Sequence, residues 1–547
     1  MKPVLHVRLS RTLRTLACVV LTASCAVPAV AQDELGGAPR AEKRDGPWFG
    51  LMLPPAVGET PAVVVGARMP RPVRVPAVAP AGNELSSAVL RADLTTIVGF
   101  SKESRSTKEI GSGQQWGRIS GFASGAKTIE WAAQQFRTAG IADVRVQPIA
   151  QDARSSFWLP LSWEVKLLAD PAFGAGTSDV ILQSAIPVPP SELPGGTLTA
   201  PLVFVGTANR SIIEHLDVKG KIAVQLTVPQ GHMLFERGTV TSNAQALMQR
   251  GAVAVFNLVR LPGNELGRDF SNCGGPCVNI GGRDGYFLEQ LFDRAAEAGA
   301  GDKLRARISL TTKAFTGLKA ANAIAVIPGR RSQETVIIDA HADAWFDGAG
   351  DNADGYSVMI ALARHFAKPA NRPERSLVFI ASAGHHTPGI NGPRGFIAAN
   401  PDLAKNAVLM LNIEHVAQRN FSAARTTNAD GYRQAVADTG EAPIYAGVVN
   451  RAPFLDQLFE HGVDDFGVNF ISQTSNMQSG ETGGFGLLGG AALVTVMQAP
   501  PLYHTTGEVL DVISTPGLER MARFLAYFVS EVSLAPTADV KRPAPAR

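Results

Sequence analysis

The chain has 547 residues, of which 45% are hydrophobic and 18% are charged, and this composition excludes a largely disordered protein. At about 150 residues per domain, the length predicts two to four domains. The formal net charge is +3; residues 1–31 contribute four basic residues and no acid, which leaves −1 on the rest of the chain. A near-neutral chain of this kind argues against nucleic-acid binding and against attachment to an anionic membrane surface.

The N-terminal residues have the pattern of a secretory signal peptide. A basic start is followed by residues 15–31, which carry no charge and end in Ala-Val-Ala. A membrane anchor is the alternative, but 17 uncharged residues that include Pro28 are short for a span of about 20. We therefore predict cleavage near Ala31 and an exported protein, periplasmic or extracellular.

Changes in composition along the chain predict its domain organisation. A Pro- and Ala-rich stretch without periodicity follows the signal peptide, and short β-branched runs in the middle of the chain interrupt a larger α/β pattern. The predicted parts are a signal peptide (1–31), a linker or pro-segment (32–84), a main domain in two pieces (85–180 and 316–530), an inserted, smaller, β-rich domain (181–315) and a tail (531–547).

Two cysteines remain after the predicted cleavage, Cys273 and Cys277, in the sequence NCGGPC. In an oxidising compartment, a close pair in a Gly- and Pro-rich loop favours a small local disulfide. Half of a zinc site is the alternative, and the chain that remains after cleavage has no second cysteine pair to complete it.

The last 230 residues alternate between apolar strands and helices. The apolar runs predict strands over 335–340, 376–382, 407–413 and 492–498, with a helix over 355–367 after the first of them. Strands that are apolar throughout and separated by helices predict an α/β fold, a doubly wound and mostly parallel sheet covered on both faces.

Polar residues follow these strands at their carboxyl ends. His341 and Asp343 follow the first strand, His385 and His386 the second, and Glu414 the third. His504 follows the last strand at a greater distance along the chain, and Asp351 precedes the helix. Because ligands bind beyond the carboxyl ends of strands in such sheets, these side chains are expected to meet in one cleft. Imidazole and carboxylate together form a ligand set that suits zinc.

Four ordered motifs, HADAWFDGAGDNADG, SLVFIASAGHH, VLMLNIEH and PLYHTTGEVLD, resemble the co-catalytic zinc aminopeptidase family, which includes glutamate carboxypeptidase II and plasma glutamate carboxypeptidase. The resemblance covers about residues 85–530. It implies a zinc exopeptidase-like α/β fold that binds two zinc ions. The inserted region resembles the protease-associated (PA) domain that some members of this family carry.

The resemblance also implies roles for individual residues. His341 matches the first zinc ligand, and Asp343 matches the acid that supports it. Asp351 matches the carboxylate that bridges both metals, His504 the histidine of the second zinc, and Tyr503 a tyrosine that stabilises the oxyanion.

Three positions depart from the family pattern. The family usually has a Glu-Glu pair, a general base followed by a zinc ligand, where this chain has His385 and His386. Its third strand usually ends in a ligand Asp, where this chain has Glu414, which keeps the charge and the donor atom. His386 is still a good zinc donor but removes one negative charge, so one of the two ions is expected to bind weakly or to be absent. His385 can accept a proton as a neutral imidazole.

The sequence therefore predicts a zinc-dependent exopeptidase, of aminopeptidase type, that hydrolyses peptide or aminoacyl amide bonds. Zinc would be held by His341, Asp351, His386, Glu414 and His504, with His385 and Tyr503 in catalysis. Two alternatives stay open, a catalytically impaired binding protein and a related amide or ester hydrolase. We expect a peptide or aminoacyl substrate and no nucleic acid or membrane partner. The sequence leaves the oligomeric state and the choice between N- and C-terminal trimming open. His415 is predicted to lie beside the ligands, and Glu481 near the substrate.

Overall fold

The computed structural model describes most of the chain after residue 45. The described residues are 46–54, 63–65, 72–73, 75–227, 242–260, 263–268, 273–331, 333–428, 431–450, 452–472, 480–486, 488, 490–498 and 502–541. The predicted signal peptide lies outside them, as do much of the predicted linker and the end of the predicted tail. These boundaries, like those of the inserted domain, stay predictions.

The strands and helices are as follows. The strands are β1 (Val63–Val65), β2 (Gly117–Arg118), β3 (Asp143–Ala150), β4 (Phe157–Leu167), β5 (Val180–Ile181), β6 (Ile186–Pro187), β7 (Thr197–Gly206), β8 (Ile222–Thr227), β9 (Ala254–Val259), β10 (Cys277–Ile280), β11 (Arg305–Phe315), β12 (Lys319–Ile327), β13 (Thr335–His341), β14 (Ala344–Trp345), β15 (Ser376–Ser382), β16 (Ala407–Glu414), β17 (Arg419–Asn428), β18 (Gly431–Glu441), β19 (Ile444–Val449), β20 (Phe470–Ser472) and β21 (Ala492–Gln498). The helices are α1 (Ser87–Ser106), α2 (Ala123–Thr138), α3 (Arg210–His215), α4 (Ser242–Gln249), α5 (Gly282–Glu297), α6 (Gly355–Ala367), α7 (Gly392–Ala399), α8 (Pro401–Lys405), α9 (Pro453–Asp464), α10 (Thr482–Phe485), α11 (Thr515–Leu534) and α12 (Thr537–Val540).

The main sheet has eight strands in the order β20-β19-β21-β16-β13-β15-β12-β3. Its centre is parallel, since β13 pairs in parallel with both β15 and β16, and β16 pairs in parallel with β21. The strands β12, β3 and β19 add antiparallel pairs towards the edges. The predicted α/β fold with a mostly parallel central sheet is confirmed.

Helices cover this sheet on both faces. One face of β13, with Val336 and Ile338, packs in a core cluster that includes α1, α2, α6 and α11. The other face, with Ile337, packs with Phe396 of α7 and Phe485 of α10. All seven residues of β13 are buried, as a strand covered on both faces requires. This packing aligns the carboxyl ends of the parallel strands along one edge.

Residues 157–315 build a second eight-stranded sheet in the order β5-β4-β11-β7-β8-β9-β10-β6. Strands β7 to β10 pair in parallel, while β11, β4, β5 and β6 pair antiparallel to their neighbours. This sheet begins at Phe157, ahead of the predicted start at residue 181. A disulfide joins Cys273 and Cys277, whose Cα atoms are 6.0 Å apart. The likeness of this region to a PA domain stays a prediction.

Parts of the predicted linker pack against the folded chain. Trp48 is 2% exposed and stacks on Phe173 beside the second sheet, with 5.3 Å between the ring centroids. Glu84 is buried and hydrogen-bonds to His365 of α6 at 2.8 Å. None of the described helices is both long enough and apolar enough to cross a membrane.

Candidate metal centre

The carboxyl ends of the central strands bring the predicted ligands together. The strand β13 ends at His341, β16 ends at Glu414, and His386 follows β15 by four residues. Asp351 lies in a single irregular helical turn, Ala349–Asp354, that leads into α6. His504 follows β21, in the loop before α11. All of these side chains are buried or nearly so, and they lie around Asp351.

Each carboxylate oxygen of Asp351 faces a different pair of histidines. Oδ1 lies 3.1 Å from Nε2 of His341 and 3.2 Å from Nε2 of His415. Oδ2 lies 3.0 Å from Nε2 of His386 and 2.7 Å from Nε2 of His504. One carboxylate thus joins two separate groups of donor atoms, which is the arrangement that a ligand shared by two metal ions requires.

These donors form two overlapping groups that could each hold an ion. The first donor set is His341, Asp351, Glu414 and His415, and the second donor set is Asp351, His386 and His504; within each, one donor atom per residue lies within 4.8 Å of all the others. His385 also comes within this distance of His341 and His386. The structure therefore brings all five predicted ligands together and adds His415 to them.

Neighbouring hydrogen bonds orient the first donor set. His341 Nδ1 lies 3.0 Å from the backbone oxygen of Asp343, so Nδ1 donates and Nε2 is left as an acceptor that faces Asp351. Glu414 Oε2 accepts a hydrogen bond of 2.8 Å from the Asn412 amide, which leaves Oε1 facing the histidines. Both ligands therefore turn lone pairs towards a common point.

Asp343 also holds the histidine pair that follows β15. Its carboxylate accepts hydrogen bonds from the backbone N–H of His385 at 3.3 Å and of His386 at 3.1 Å. The predicted supporting acid therefore connects two ligand loops, through its backbone oxygen on one side and its carboxylate on the other.

His385 lies at the edge of the cluster, with 20% of its side chain exposed. Its Nδ1 lies 2.9 Å from Oε1 of Glu481, while its Nε2 lies 4.0 Å from Oε1 of Glu414. A carboxylate partner on Nδ1 fixes the tautomer in which Nε2 can accept a proton. Tyr503 stacks on the ring of His504, with 3.6 Å between the centroids.

The surrounding histidines control the charge of Asp351. Burial raises the pKa of this carboxyl, but the nearby His386 and His415 and the hydrogen bond with His386 outweigh burial and hold the pKa well below its usual value. Asp351 is therefore an anion at neutral pH, as a bridging ligand must be.

Two buried atoms of the first donor set, an imidazole nitrogen and a carboxylate oxygen, are better placed to bind a metal ion than to hydrogen-bond to each other. Among the residues that the structure describes, His341 Nε2 and Asp351 Oδ1 make no hydrogen bond, although they lie 3.1 Å apart. Buried polar atoms are normally paired, so such atoms indicate a missing partner. Imidazole nitrogens and carboxylate oxygens are donors that zinc accepts, and the residues present therefore fit this ion.

Arg118, which sequence reasoning missed, lies beneath the centre and is fully buried. Burial lowers its pKa and the surrounding carboxylates partly offset this effect. The resulting pKa of about 10 keeps the guanidinium charged at neutral pH. Its hydrogen bonds go to the backbone oxygens of Ala342 (3.2 Å), Asp347 (2.9 Å) and Gly348 (3.1 Å) and to Ser101 Oγ (2.9 Å). Arg118 thus ties the loop of His341 to the loop of Asp351.

The loop that carries His504 also contacts the second sheet. The backbone N–H of Arg268, between β9 and β10, donates to the backbone oxygen of His504 at 3.0 Å, and Gly267 pairs with Thr505 in an isolated bridge. The Arg268 guanidinium lies 3.7 Å from the centroid of the Trp345 ring, which itself lies 5.7 Å from His386. Residues of the connection between β9 and β10 therefore form one wall near the second donor set.

Residues 322–529 match the model of peptidase family M28. This segment of the chain belongs to the family. The matched segment contains all of the donor residues described above. Aminopeptidase YwaD of Bacillus subtilis is 30% identical over 213 residues, 37% of this chain and 40% of that protein. A probable glutamate carboxypeptidase of Arthroderma benhamiae is 37% identical over 98 residues, 17% of this chain and 13% of that protein. The chain thus spans less than half of either curated relative.

Solved structures share the M28 fold over more of the chain. A peptidase M28 precursor from Shewanella amazonensis has a TM-score of 0.60 at 16% identity, over 84% of this chain and all of that one. BSAP, a zinc aminopeptidase from Bacillus subtilis, has a TM-score of 0.54 at 19% identity, over 84% of this chain and 98% of that one. At these identities the likeness shows the fold alone.

Proposed function

We propose that this chain is a zinc-dependent exopeptidase of aminopeptidase type, which hydrolyses peptide or aminoacyl amide bonds. The observation that carries the proposal is the position of Asp351, whose two carboxylate oxygens each face a pair of imidazole nitrogens. The match of residues 322–529 to family M28 and the aminopeptidase activity named for the Bacillus subtilis relatives support the same reaction.

Different residues of the chain would bind the metal, transfer the proton and stabilise the oxyanion. Zinc, when bound, would polarise the scissile carbonyl and lower the pKa of water at the site. His341, Asp351 and Glu414 would hold one ion, and Asp351, His386 and His504 the other. His385, oriented by Glu481, accepts the proton of the attacking water at Nε2 and passes it to the leaving amine. The Tyr503 hydroxyl donates a hydrogen bond to the developing oxyanion.

Removal of the metal is the first test of this proposal. We expect chelation to reduce hydrolysis of aminoacyl amides and dipeptides to the buffer rate, because the chain then loses the group that polarises the carbonyl. Added zinc is expected to restore the rate, with metal content followed by elemental analysis. Full activity in a metal-free sample would contradict the proposal.

Replacement of His385 by alanine tests the proton acceptor. We expect kcat to fall by about 10²-fold while zinc content stays unchanged, because a positioned base contributes at least that factor. Replacement of His461 by alanine is the control, since this histidine is exposed on α9 and pairs with Asp465. A normal kcat for His385→Ala would assign the proton transfer to another group.

The second candidate function is that of a binding protein without turnover. The histidine pair at 385 and 386, which stands where the family usually has two glutamates, favours it. No hydrolysis of any substrate in the panel, with zinc bound, would support this candidate over the first.

We also propose that the protein is exported. The signal-peptide pattern ending near Ala31 supports this, and so does the disulfide between Cys273 and Cys277, a bond typical of oxidising compartments. Cell fractionation with N-terminal sequencing tests this: the protein in the cytoplasmic fraction alone, with residues 1–31 still present, would contradict the proposal.

A further inference from the structure

The two donor sets that share Asp351 differ in the number of side chains they offer. The first contains four residues, all fully buried, and the second contains three. The difference is His415, whose Nε2 lies 3.2 Å from Asp351 Oδ1 and 3.2 Å from Glu414 Oε1. His415 is therefore placed among the donors rather than behind them.

The backbone around His415 is built to hold this position. Its N–H donates to Oδ1 of Asn352 at 3.2 Å, and its backbone oxygen accepts from the N–H of Gln498 at 2.9 Å. The Asn352 amide also donates to the backbone oxygen of Ile413 at 2.9 Å, so one side chain clamps both neighbours of Glu414. His415 has a φ of 52°, in the left-handed region that side chains other than glycine rarely adopt. Such a conformation persists only where the surroundings enforce it.

The number of protein donors separates closed zinc sites from open ones. Structural zinc sites have four protein ligands, whereas catalytic sites have three and leave one position for water or substrate. The first donor set offers two imidazoles and two carboxylates, which are the four protein ligands of a closed site. The second offers two imidazoles and a share of Asp351, which leaves room for another ligand.

We propose that His415 closes the first metal position, so that exogenous ligands and substrate reach only the metal held by Asp351, His386 and His504. The inference rests on the proposed metal site and assigns a different task to each half of it. The first position holds its ion tightly and fixes Asp351, while the second exchanges its ion and its ligands more readily, because it has fewer donors and only a shared negative charge.

Cobalt(II), which absorbs visible light when bound, tests the proposal on the full-length protein without any activity assay. We expect two cobalt ions per chain, and we expect titration with azide to shift the spectrum of only one. A chelator is expected to remove the azide-sensitive ion first. If both ions respond to azide, His415 does not close the first site, although the metallopeptidase proposal stands. If no cobalt binds, both proposals fail.

Replacement of His415 by glutamine isolates the contribution of this residue. We expect the tighter ion to bind about 100-fold more weakly or more, judged from losses of 10- to 100-fold for residues that only support ligands, and to become sensitive to azide. The control is His365→Gln, since His365 is also buried, on α6, but hydrogen-bonds to Glu84 instead. Unchanged affinity and azide response in His415→Gln would overturn the inference. If that variant does not fold, the azide titration of the unmodified protein decides.

Discussion

Replacement of Asp351 by asparagine is expected to remove both metal ions and to lower turnover by more than about 10³-fold, the factor that corresponds to several kcal/mol of electrostatic stabilisation. Its carboxylate lies within 3.2 Å of four imidazole nitrogens, two on each oxygen. Asparagine keeps the shape but supplies neither the charge nor a second oxygen. Elemental analysis and hydrolysis of an aminoacyl amide measure the two effects.

Asp347→Asn is the matched control for this substitution. Asp347 lies four residues earlier in the same loop and is also buried, but its carboxylate accepts a hydrogen bond from Trp116 Nε1 at 3.2 Å rather than facing the histidines. An asparagine oxygen can still accept that bond, so metal content and turnover are expected to stay close to normal. Two bound metals in Asp351→Asn would show that Asp351 does not bridge the sites.

Replacement of Arg118 by methionine is expected to lower the free energy of unfolding by about 3 kcal/mol and to weaken metal binding. Methionine fills a similar volume but leaves the backbone oxygens of Ala342, Asp347 and Gly348 buried without these donors, at about 1–3 kcal/mol each. Release of a desolvated positive charge offsets part of this cost. Denaturant unfolding and metal content are the measurements.

A second buried arginine separates the effect on the metal centre from a general loss of stability. Arg520 is 3% exposed and pairs with Glu441 of β18 rather than with the ligand loops. We expect Arg520→Met to lower stability while both metals stay bound at saturating zinc. Equal metal loss in both variants would indicate that Arg118 acts only through overall stability.

The central elements were predictable because their signals are local. The predicted strand over 376–382 and the predicted helix over 355–367 match β15 and α6 residue for residue, and β13 and β16 each extend one residue beyond the prediction. Apolar runs of this length, separated by an amphipathic helix, leave few alternatives to a parallel sheet. Because parallel strands end at one edge, the convergence of His341, Glu414 and His386 followed from the same pattern.

His415 could not be assigned from the sequence because its role depends on a left-handed backbone. In a strand, successive side chains point to opposite faces, so the sequence predicts His415 beside the ligands but not as a donor next to Glu414. The chain leaves β16 at Glu414, and the φ of 52° at His415 turns both side chains towards Asp351. A hydrogen bond from its N–H to Asn352, 63 positions earlier, helps to hold this turn.

Apolar runs and the order of polar residues behind them determined, without coordinates, the sheet, the edge at which the ligands meet and the kind of ion they suit. The tertiary structure alone decided how the donors divide between the two oxygens of Asp351, which histidine completes the first set, and that Arg118, 224 positions from Ala342, ties the ligand loops together. The physical reason is range: strand and helix patterns repeat within a few residues, whereas the division of donors depends on contacts between segments far apart in the chain.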